Sequence, residues 1–516
     1  MDTKALRQKI LDLAVRGKLV PQNPDDEPAR VLLERIRAEK KQMVKDGRLK
    51  AKDIKNDSVI YFKEDNLPYE KFSDGTEKCI EDEIPFELPD GWEWTRLQNI
   101  SVFELGKTLD KAKNKGQYKN YLCSINVKWN DIDLSEVKQM KFEDAELDRY
   151  RLKKNDLLIC EGGDVGRCCI WDSNEEMYYQ NALHRVRFYQ NILPEIYMFI
   201  MMYYAYNGKF SEICKGVTIK HLTATTLKTL LFPLPPLSEQ KRIAEKINEL
   251  MGLVDVIEQN KTDLQTAVKL AKEKILDLAI RGQLVPQNPD DEPASVLLER
   301  IRAEKQQLIQ QGKIKPDKKD TVTFTDDELP FELPDGWEWC RLGNLCSVIS
   351  KGTTPKGGKS CYLDSGINYL RVENIMDNGQ IDTSDMVHID EKIHNTELKR
   401  SILQEDDLLI TIAGTLGKTA VVHKNNLPLN TNQAISFSRL INVNLCFVDF
   451  LRLIISSKII QNRLLLKTKV TSIPNLTLEI ISDCLIPLPP LNEQKRIADK
   501  INQLFSMLDS ITEFLN

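Results

Sequence analysis

The 516-residue chain has little histidine and no excess of basic residues, and these shortages exclude several classes of protein. Five scattered histidines, and eleven cysteines without a Cys-x-x-Cys pair, argue against a zinc site. The apolar stretch 227–237 is broken by a lysine, a threonine and three prolines, so no transmembrane helix is expected. The N-terminus lacks the apolar core of a signal peptide, and we expect a cytoplasmic protein with reduced thiols.

Catalytic motifs are also missing. The triplets 106–108 and 417–419, both Gly-Lys-Thr, resemble the end of a phosphate-binding Walker A motif. However, the leading glycine is replaced by Ser101 in one case and by Ile412 in the other. No GxGxxG, HExxH, GxSxG or Asn-Pro-Pro-Tyr motif occurs, and the carboxylates form no evident metal site. We therefore expect a chain without catalytic residues, with an unfamiliar nuclease as an alternative.

Three segments occur twice with few changes. The repeated pairs are 10–41 with 275–306 (28 of 32 positions identical), 82–97 with 327–342 (14 of 16), and 233–248 with 487–502 (14 of 16). The inserts between them, 92–231 and 337–485, barely resemble each other. We call the repeated segments the frame. A frame that occurs twice with little change suits two copies of one partner, whereas unlike inserts suit two different targets. The alternative is a recent duplication followed by drift.

A long helix is predicted at the centre of the chain. From Ile243 to Leu278 the apolar positions recur every three or four residues, and Lys261 is the one exception among eleven. This coiled-coil pattern predicts a helix over 238–281, about 66 Å long at about 1.5 Å per residue. The second half of this apolar pattern recurs at 6–13, and its first half recurs at 497–515.

The two half-patterns together imitate the central helix. We therefore predict a circular, pseudo-twofold organisation in which the helices pair antiparallel and the chain ends lie close together. Alternatively, each helix only covers its own insert, although about 10–14 residues would be ordinary for that role. The predicted segments are an N-terminal helical region and linker (1–91), the first insert (92–231), a central region (232–336), the second insert (337–485) and a C-terminal helix (486–516).

Each insert has an α+β composition. Buried strands are predicted at 156–160 and 407–412, and apolar-striped helices at 194–213 and 445–467. The Lys/Asp-rich segments 46–81 and 312–326 are predicted to be mobile linkers.

Residues suited to nucleic acid cluster in the inserts. The whole chain has a net charge of −5, but the inserts carry +2 and +1, which weakly favours them as the anion-facing parts. Loops rich in lysine, hydroxyl and glycine suit phosphate contact, although solvated loops would look the same. Amides and arginine suit base reading, although capping roles are an alternative. The phosphate-contact candidates are Lys107, Thr108, Lys111, Lys113, Lys115, Lys119, Lys351, Thr353, Thr354, Lys356 and Lys359, and the base-reading candidates are Asn126, Gln180, Asn181, Arg371, Asn374, Asn432 and Gln433.

The chain resembles the DNA specificity subunit of type I restriction–modification systems. The resemblance rests on the doubled Pro-Leu-Pro-Pro-Leu-x-Glu-Gln-Lys-Arg-Ile-Ala (233–244 and 487–498), the Arg-Gly-x-Leu-Val-Pro-Gln boxes (16–22 and 281–287) and Gly-Thr-Thr-Pro at 352–355. It covers essentially the whole chain. The first insert departs from it, with Gly-Lys-Thr-Leu at 106–109.

The resemblance implies that each insert is a target recognition domain for half of a split, asymmetric site in double-stranded DNA. It also implies a helical spacer, docking of two methyltransferase subunits, and restriction subunits that join through the complex. S-adenosylmethionine, ATP and Mg²⁺ are expected on those partners, with no cofactor bound by this chain. Alternatives are the same module serving a methyltransferase–nuclease fusion, and a scaffold whose inserts bind proteins.

Overall fold

The computed structural model describes residues 2–110, 114–214, 221–316, 324–325, 328–467 and 475–515. The chain divides into two compact units, unit 1 (Met1–Asn260) and unit 2 (Lys261–Asn516). Each unit contains one insert and mixes helices with small sheets, and one long helix runs through the boundary in the chain. The predicted α+β class with two repeated domains is confirmed. Within the described ranges, no helix has the length and apolarity needed to cross a membrane.

Unit 1 begins with two helices and a small sheet, continues through the first insert, and ends in the long helix. Its elements are α1 Thr3–Val15, α2 Ala29–Lys45, β1 Ser58–Phe62, β2 Pro68–Phe72, β3 Glu77–Cys79, β4 Glu93–Arg96, α3 Leu97–Ile100, β5 Ser101–Leu105, β6 Gln117–Leu122, β7 Val127–Lys128, β8 Asp131–Ile132, β9 Lys138–Phe142, α4 Leu147–Tyr150, β10 Asp156–Cys160, β11 Cys168–Trp171, β12 Tyr178–Tyr179, β13 Leu183–Phe188, α5 Pro194–Tyr206, α6 Lys209–Ile213, α7 Ala224–Thr229, β14 Leu231–Leu234 and α8 Leu237–Ile280.

Unit 2 takes the second half of α8 and then repeats the order. Its further elements are α9 Ala294–Gln310, β15 Glu338–Arg341, α10 Leu342–Leu345, β16 Cys346–Lys351, β17 Ile367–Leu370, β18 His388–Ile389, α11 Glu391–Asn395, β19 Leu408–Thr411, β20 Thr419–Val421, β21 Leu429–Thr431, β22 Ile435–Leu440, α12 Val448–Ile455, α13 Lys458–Leu466, α14 Leu478–Ser482, β23 Leu485–Leu488 and α15 Leu491–Leu515.

The two inserts share one topology despite their unlike sequences. Each has a four-stranded antiparallel sheet, in the order β11-β10-β13-β5 or β20-β19-β22-β16. Each also has a three-stranded sheet, β12-β6-β9 or β21-β17-β18, with one parallel and one antiparallel pair. A buried aspartate at the start of β10, or just before β19, pairs with an arginine on the neighbouring strand, Asp156 with Arg187 at 2.6 Å and Asp407 with Arg439 at 2.7 Å.

In each unit one half of α8 pairs antiparallel with a terminal helix. In unit 1, Thr3 bonds Glu258, and Arg7, further along α1, bonds Asp255 and contacts Met251. In unit 2, Lys272 pairs with Asp509 and lies 5.1 Å from the centre of the Phe505 ring. The predicted coiled-coil pairing is confirmed inside each unit, and the closeness of the chain ends stays a prediction.

The repeated sequence motifs interlock inside each unit. The Glu of the Pro-Leu-Pro-Pro-Leu-x-Glu-Gln-Lys-Arg motif accepts from the indole N–H of the Gly-Trp-Glu-Trp motif, Trp92 to Glu239 at 2.9 Å and Trp337 to Glu493 at 3.1 Å. The Gln of that motif accepts from the backbone N–H just before the insert's main helix, at 3.0 Å in unit 1 and 2.9 Å in unit 2. Its Arg pairs at 2.6 Å with an aspartate of the Asn-Pro-Asp-Asp motif in both units. These internal bonds account for the near-identity of the motif residues.

Antiparallel strand pairs close the two ends of each insert. β4 pairs with β14, placing Trp94 opposite Pro233, and β15 pairs with β23, placing Trp339 opposite Pro487. Each insert therefore begins and ends at one place on its frame.

Two local predictions were wrong. The segment 46–81 is not a linker throughout, because β1, β2 and β3 form an antiparallel sheet, which Arg96 anchors through a buried ion pair with Glu70. The helices predicted at 194–213 and 445–467 are each divided in two. Gly208, with a φ of 74°, separates the first pair. The predicted linker 312–326 lies largely outside the described residues.

Candidate nucleic-acid interface

In unit 1 the loop that leaves β5 lies against the exit of β12. The backbone N–H of Lys107 donates to Tyr179 O at 3.1 Å, and that of Asn181 donates to Lys107 O at 2.9 Å. Gly106 permits this approach, because a Cβ there would lie 2.2 Å from Gln180 O. The structure thus brings together 106–108 and 180–181, which were predicted separately. We call this cluster junction 1.

Unit 2 forms the same arrangement with other side chains. The backbone N–H of Thr353 donates to Thr431 O at 3.0 Å, and a Cβ on Gly352 would lie 2.1 Å from Asn432 O. Thr354 hydrogen-bonds Gln433 across this contact. We call 352–354 with 432–433 junction 2. The departure from Gly-Thr-Thr-Pro in the first insert therefore leaves the main-chain contact unchanged.

The side chains of the two junctions differ at matching positions. Lys107 in junction 1 corresponds to Thr353 in junction 2, and Gln180-Asn181 corresponds to Asn432-Gln433. In junction 1 the Asn181 amide approaches the exposed Thr108 hydroxyl at 3.4 Å. The two junctions present hydroxyl and amide groups in the same place but in different order.

Three candidates have structural roles instead. Lys107 is buried and pairs with Glu143 and Glu146. Burial opposes its charge, but the two carboxylates raise the pKa of Lys107 overall. Asn126 is buried and bonds the backbone of Cys123, Asp133 and Glu136, at 3.0, 3.0 and 2.9 Å. Asn374 is buried and accepts at 3.0 Å from the N–H of Arg371, three residues earlier. A lysine within an acidic pair and amides used inside a turn are not available to DNA.

The other candidates differ in availability. Lys119 pairs with Glu176 at 2.9 Å, and Arg371 pairs with Glu373 at 2.8 Å. Lys115, Lys351, Lys356 and Lys359 are exposed. Lys111 and Lys113 lie outside the described residues. Among the candidates in the described part, the exposed lysines thus lie on or next to the loops that form the junctions, and their contact with DNA stays a prediction.

A polar face on the small sheet of unit 1 was missed. Tyr118 on β6 is opposite Lys141 on β9, and Asn120 is opposite Gln139. Tyr118 is 66% exposed, and the Lys141 ammonium lies 5.4 Å from its ring centre. Gln139 donates to Asn120 at 2.9 Å. The segment 117–122, Gln-Tyr-Lys-Asn-Tyr-Leu, does not alternate polar and apolar residues, so no local signal in its sequence indicates this face.

The arrangement suits polar contacts with a nucleic acid. The junctions contain amides, hydroxyls and nearby lysines, which donate to and accept from base edges and phosphates. Among the residues that the structure describes, no group of three or more His, Cys, Asp or Glu side chains is placed to hold a metal ion.

Comparisons with known proteins agree on one family. The type I restriction modification DNA specificity domain matches residues 89–266 and 334–516. The EcoAI specificity subunit of Escherichia coli is 31% identical over 567 residues, covering 98% of this chain and 90% of that protein. The EcoEI specificity subunit of Escherichia coli is 28% identical over 571 residues, covering 98% and 90%.

A solved structure concerned with complex assembly and conformational transition of a type I restriction–modification system matches with a TM-score of 0.57. It is 18% identical and covers 84% of this chain and 94% of that one, which supports the fold alone. The family match and the full-length relatives identify this chain as a member of the type I restriction–modification specificity subunits.

Proposed function

We propose that each insert domain reads one half of a bipartite, asymmetric DNA site, through junction 1 in unit 1 and junction 2 in unit 2. One observation carries the proposal: the two domains share their topology and their junction main-chain contacts, yet present different side chains there. A common scaffold with different polar groups is what two different base sequences require. We propose half-site centres about one helical turn, ~34–36 Å, apart.

We further propose that the repeated frame docks two methyltransferase subunits. The segments 21–25 and 286–290 are identical in sequence and exposed throughout, and the aspartate that follows each segment, Asp26 or Asp291, bonds within its unit. Matching apolar side chains on the long helices are also exposed, Leu253 at 54% and Met507 at 60%. Identical exposed surfaces suit two copies of one partner, and exposed apolar side chains suit an interface.

The chain itself is proposed to be non-catalytic. S-adenosylmethionine would be bound by the methyltransferase partners, and ATP and Mg²⁺ by restriction subunits that join the complex. This chain would then determine which DNA sequence the complex binds and the spacing between its half-sites.

The test is co-purification of this chain with the methyltransferase encoded beside it, followed by sequencing of adenine-methylated DNA from cells that make both. We expect a stable complex and a split, asymmetric methylated motif. A stable complex without any motif would favour the protein scaffold. Failure to form a complex, together with metal-dependent cleavage by the isolated chain, would favour a nuclease. Purification of the native complex would separate free restriction subunits from a methyltransferase–nuclease fusion.

A further inference from the structure

Glu143 bonds two residues of loop 1, the loop that connects β5 to β6. Its carboxylate pairs with the Lys107 ammonium, and its Oε1 accepts a 2.8 Å hydrogen bond from the backbone N–H of Lys115. Hydrogen bonding from Lys107, with smaller contributions from Glu146 and the Lys115 N–H, lowers the pKa of Glu143 to about 2. Glu143 is therefore an ionised acceptor at neutral pH, and such charge-assisted bonds are stronger than neutral ones.

Glu397 makes the corresponding bond in unit 2. Its Oε1 accepts at 2.6 Å from the backbone N–H of Lys356 in loop 2, which connects β16 to β17. The same loop is held from the sheet side, where the Tyr369 hydroxyl donates to Thr353 O at 2.9 Å. Glu143 lies between β9 and β10, and Glu397 lies in the matching segment between β18 and β19.

The two bonds thus join the same pair of segments in domains of unlike sequence. Each joins a glutamate of one segment to the main chain of the loop that carries half of a junction. Each acts on a backbone N–H rather than on a particular side chain, so it leaves the loop's side chains free to differ. A carboxylate also repels phosphate, so contact of either glutamate with the DNA backbone would be unfavourable.

We propose that Glu143 and Glu397 are positioning residues for base recognition, each fixing described residues of the reading loop of its own domain, Lys107 and Lys115 in loop 1 or Lys356 in loop 2, and thereby the stringency of one half-site. This rests on the proposed function, in which the two domains read separate half-sites. A loop held in one conformation cannot adapt to a wrong base, whereas a released loop can. We call each of these glutamates a clamp. Removing a clamp should therefore reduce discrimination between the right and the wrong base without reducing affinity for DNA in general.

The experiment is selection of random-sequence duplex DNA by the purified complex of this chain with its methyltransferase subunits. The variants are Glu143→Ala, Glu143→Gln and Glu397→Ala. Glu175→Gln and Glu405→Gln are matched controls, because each removes an exposed carboxylate charge of the same domain outside the reading loop. Glu143→Gln keeps an oxygen acceptor for the Lys115 N–H but loses the ion pair, so its effect should be intermediate.

In the wild-type complex, discrimination against one wrong base is about 5- to 150-fold for ordinary contacts. We expect Glu143→Ala to lower it several-fold in one half of the motif, and Glu397→Ala to lower it in the other half. Affinity for unrelated DNA should stay close to wild type, and the controls should select the wild-type motif and keep the wild-type melting temperature.

Other outcomes have distinct meanings. Unchanged motifs in the clamp variants, or loss of discrimination in both halves from a single substitution, would overturn the positioning role. An equal loss in a control would show a charge effect and also overturn it. A wild-type complex that selects no split motif would overturn the proposed function itself, independently of the clamps. Faster tryptic cleavage after Lys115 in Glu143→Ala would report release of the loop directly, and unchanged cleavage would count against it.

Discussion

The ion pair between Glu70 and Arg96 should hold the small sheet of unit 1 onto its frame. Arg96 Nη2 lies 2.6 Å from Glu70 Oε2, and the two side chains are 7% and 3% exposed. Arg96 also donates to Glu83 at 2.8 Å and to Thr229 O at 2.7 Å. Ser58 of β1 donates to Glu70 of β2 at 2.6 Å, so the same carboxylate joins two strands.

Replacing Glu70 with Ala leaves the Arg96 guanidinium buried with fewer partners. Removing one partner of a buried pair costs about 3–5 kcal/mol. Glu83 and Thr229 O remain, so we expect the low end, about 3 kcal/mol, for closing the sheet. Because about 1.4 kcal/mol is tenfold, the open fraction of β1 and β2 should rise on the order of 100-fold.

The assay is hydrogen–deuterium exchange of residues 58–72, read by mass spectrometry. Glu328→Ala is the control, because Glu328 is the counterpart of Glu83 and pairs with Arg341, the counterpart of Arg96, but it lies 3.3 Å from that arginine and is 40% exposed. The Glu328→Ala variant should change hydrogen–deuterium exchange in unit 2 very little. Unchanged exchange of the sheet in Glu70→Ala, or an equal effect from Glu328→Ala, would refute the reasoning.

The remaining predictions concern recognition and pH. Exchanging residues 92–231 for an unrelated recognition domain should change one half of the methylated motif, and a change in both halves would contradict separate reading. Inserting four residues after Asn260 should lengthen α8 by about 6 Å and widen the gap in the motif; an unchanged gap would show that α8 is not the spacer. Replacing Lys351 and Lys356 with Ala should weaken binding to all DNA sequences. It should also lower the slope of log affinity against log salt concentration by about 2, measured by titration at several salt concentrations. Burial raises the pKa of Glu239 and Glu493 above the usual 4.5, so their ionised form is the unfavourable one when folded. The contribution of these two carboxyl groups to the free energy of unfolding should increase as the pH falls from the raised pKa towards about 4.5. The variant with both Glu239→Gln and Glu493→Gln should show a melting temperature that changes less with pH in that range.

The sequence predicts the long helix well, because its apolar period is sustained over many turns. The observed helix, Leu237–Ile280, differs from the predicted 238–281 by one residue at each end. The strand Asp156–Cys160 is also as predicted, since it is a short apolar run before a glycine turn. Such signals are local and strong.

The small sheet could not be predicted in the same way. Its inner face contains Ser58, Ile60 and Glu70, so it is anchored partly by an ion pair rather than by apolar alternation. The Lys/Asp-rich composition therefore looked like a linker. The partner, Arg96, lies beyond the segment in the sequence and is near only in the fold.

For the candidate interface, the sequence singled out loops that the structure brings together, but it did not show the role of each side chain. Lys107 looked like a phosphate contact, and its two acidic partners are 36 and 39 residues away. Asn126 and Asn374 have side chains suited to adenine, but each accepts from a backbone N–H three residues earlier. Residue type alone does not separate capping from base reading.

The closure of each insert by a strand pair has a consequence for how new specificities arise. Because β4 and β14 bring the ends of the first insert together, and the Trp92–Glu239 bond fastens them, an insert can be replaced as a whole without disturbing the frame. Recombination between the repeated segments would also remove or add a whole unit. A product with one unit fewer or more would keep each remaining core intact, since each unit closes on its own helices. Under the proposed function, exchange of a whole insert is therefore a route to a new target sequence.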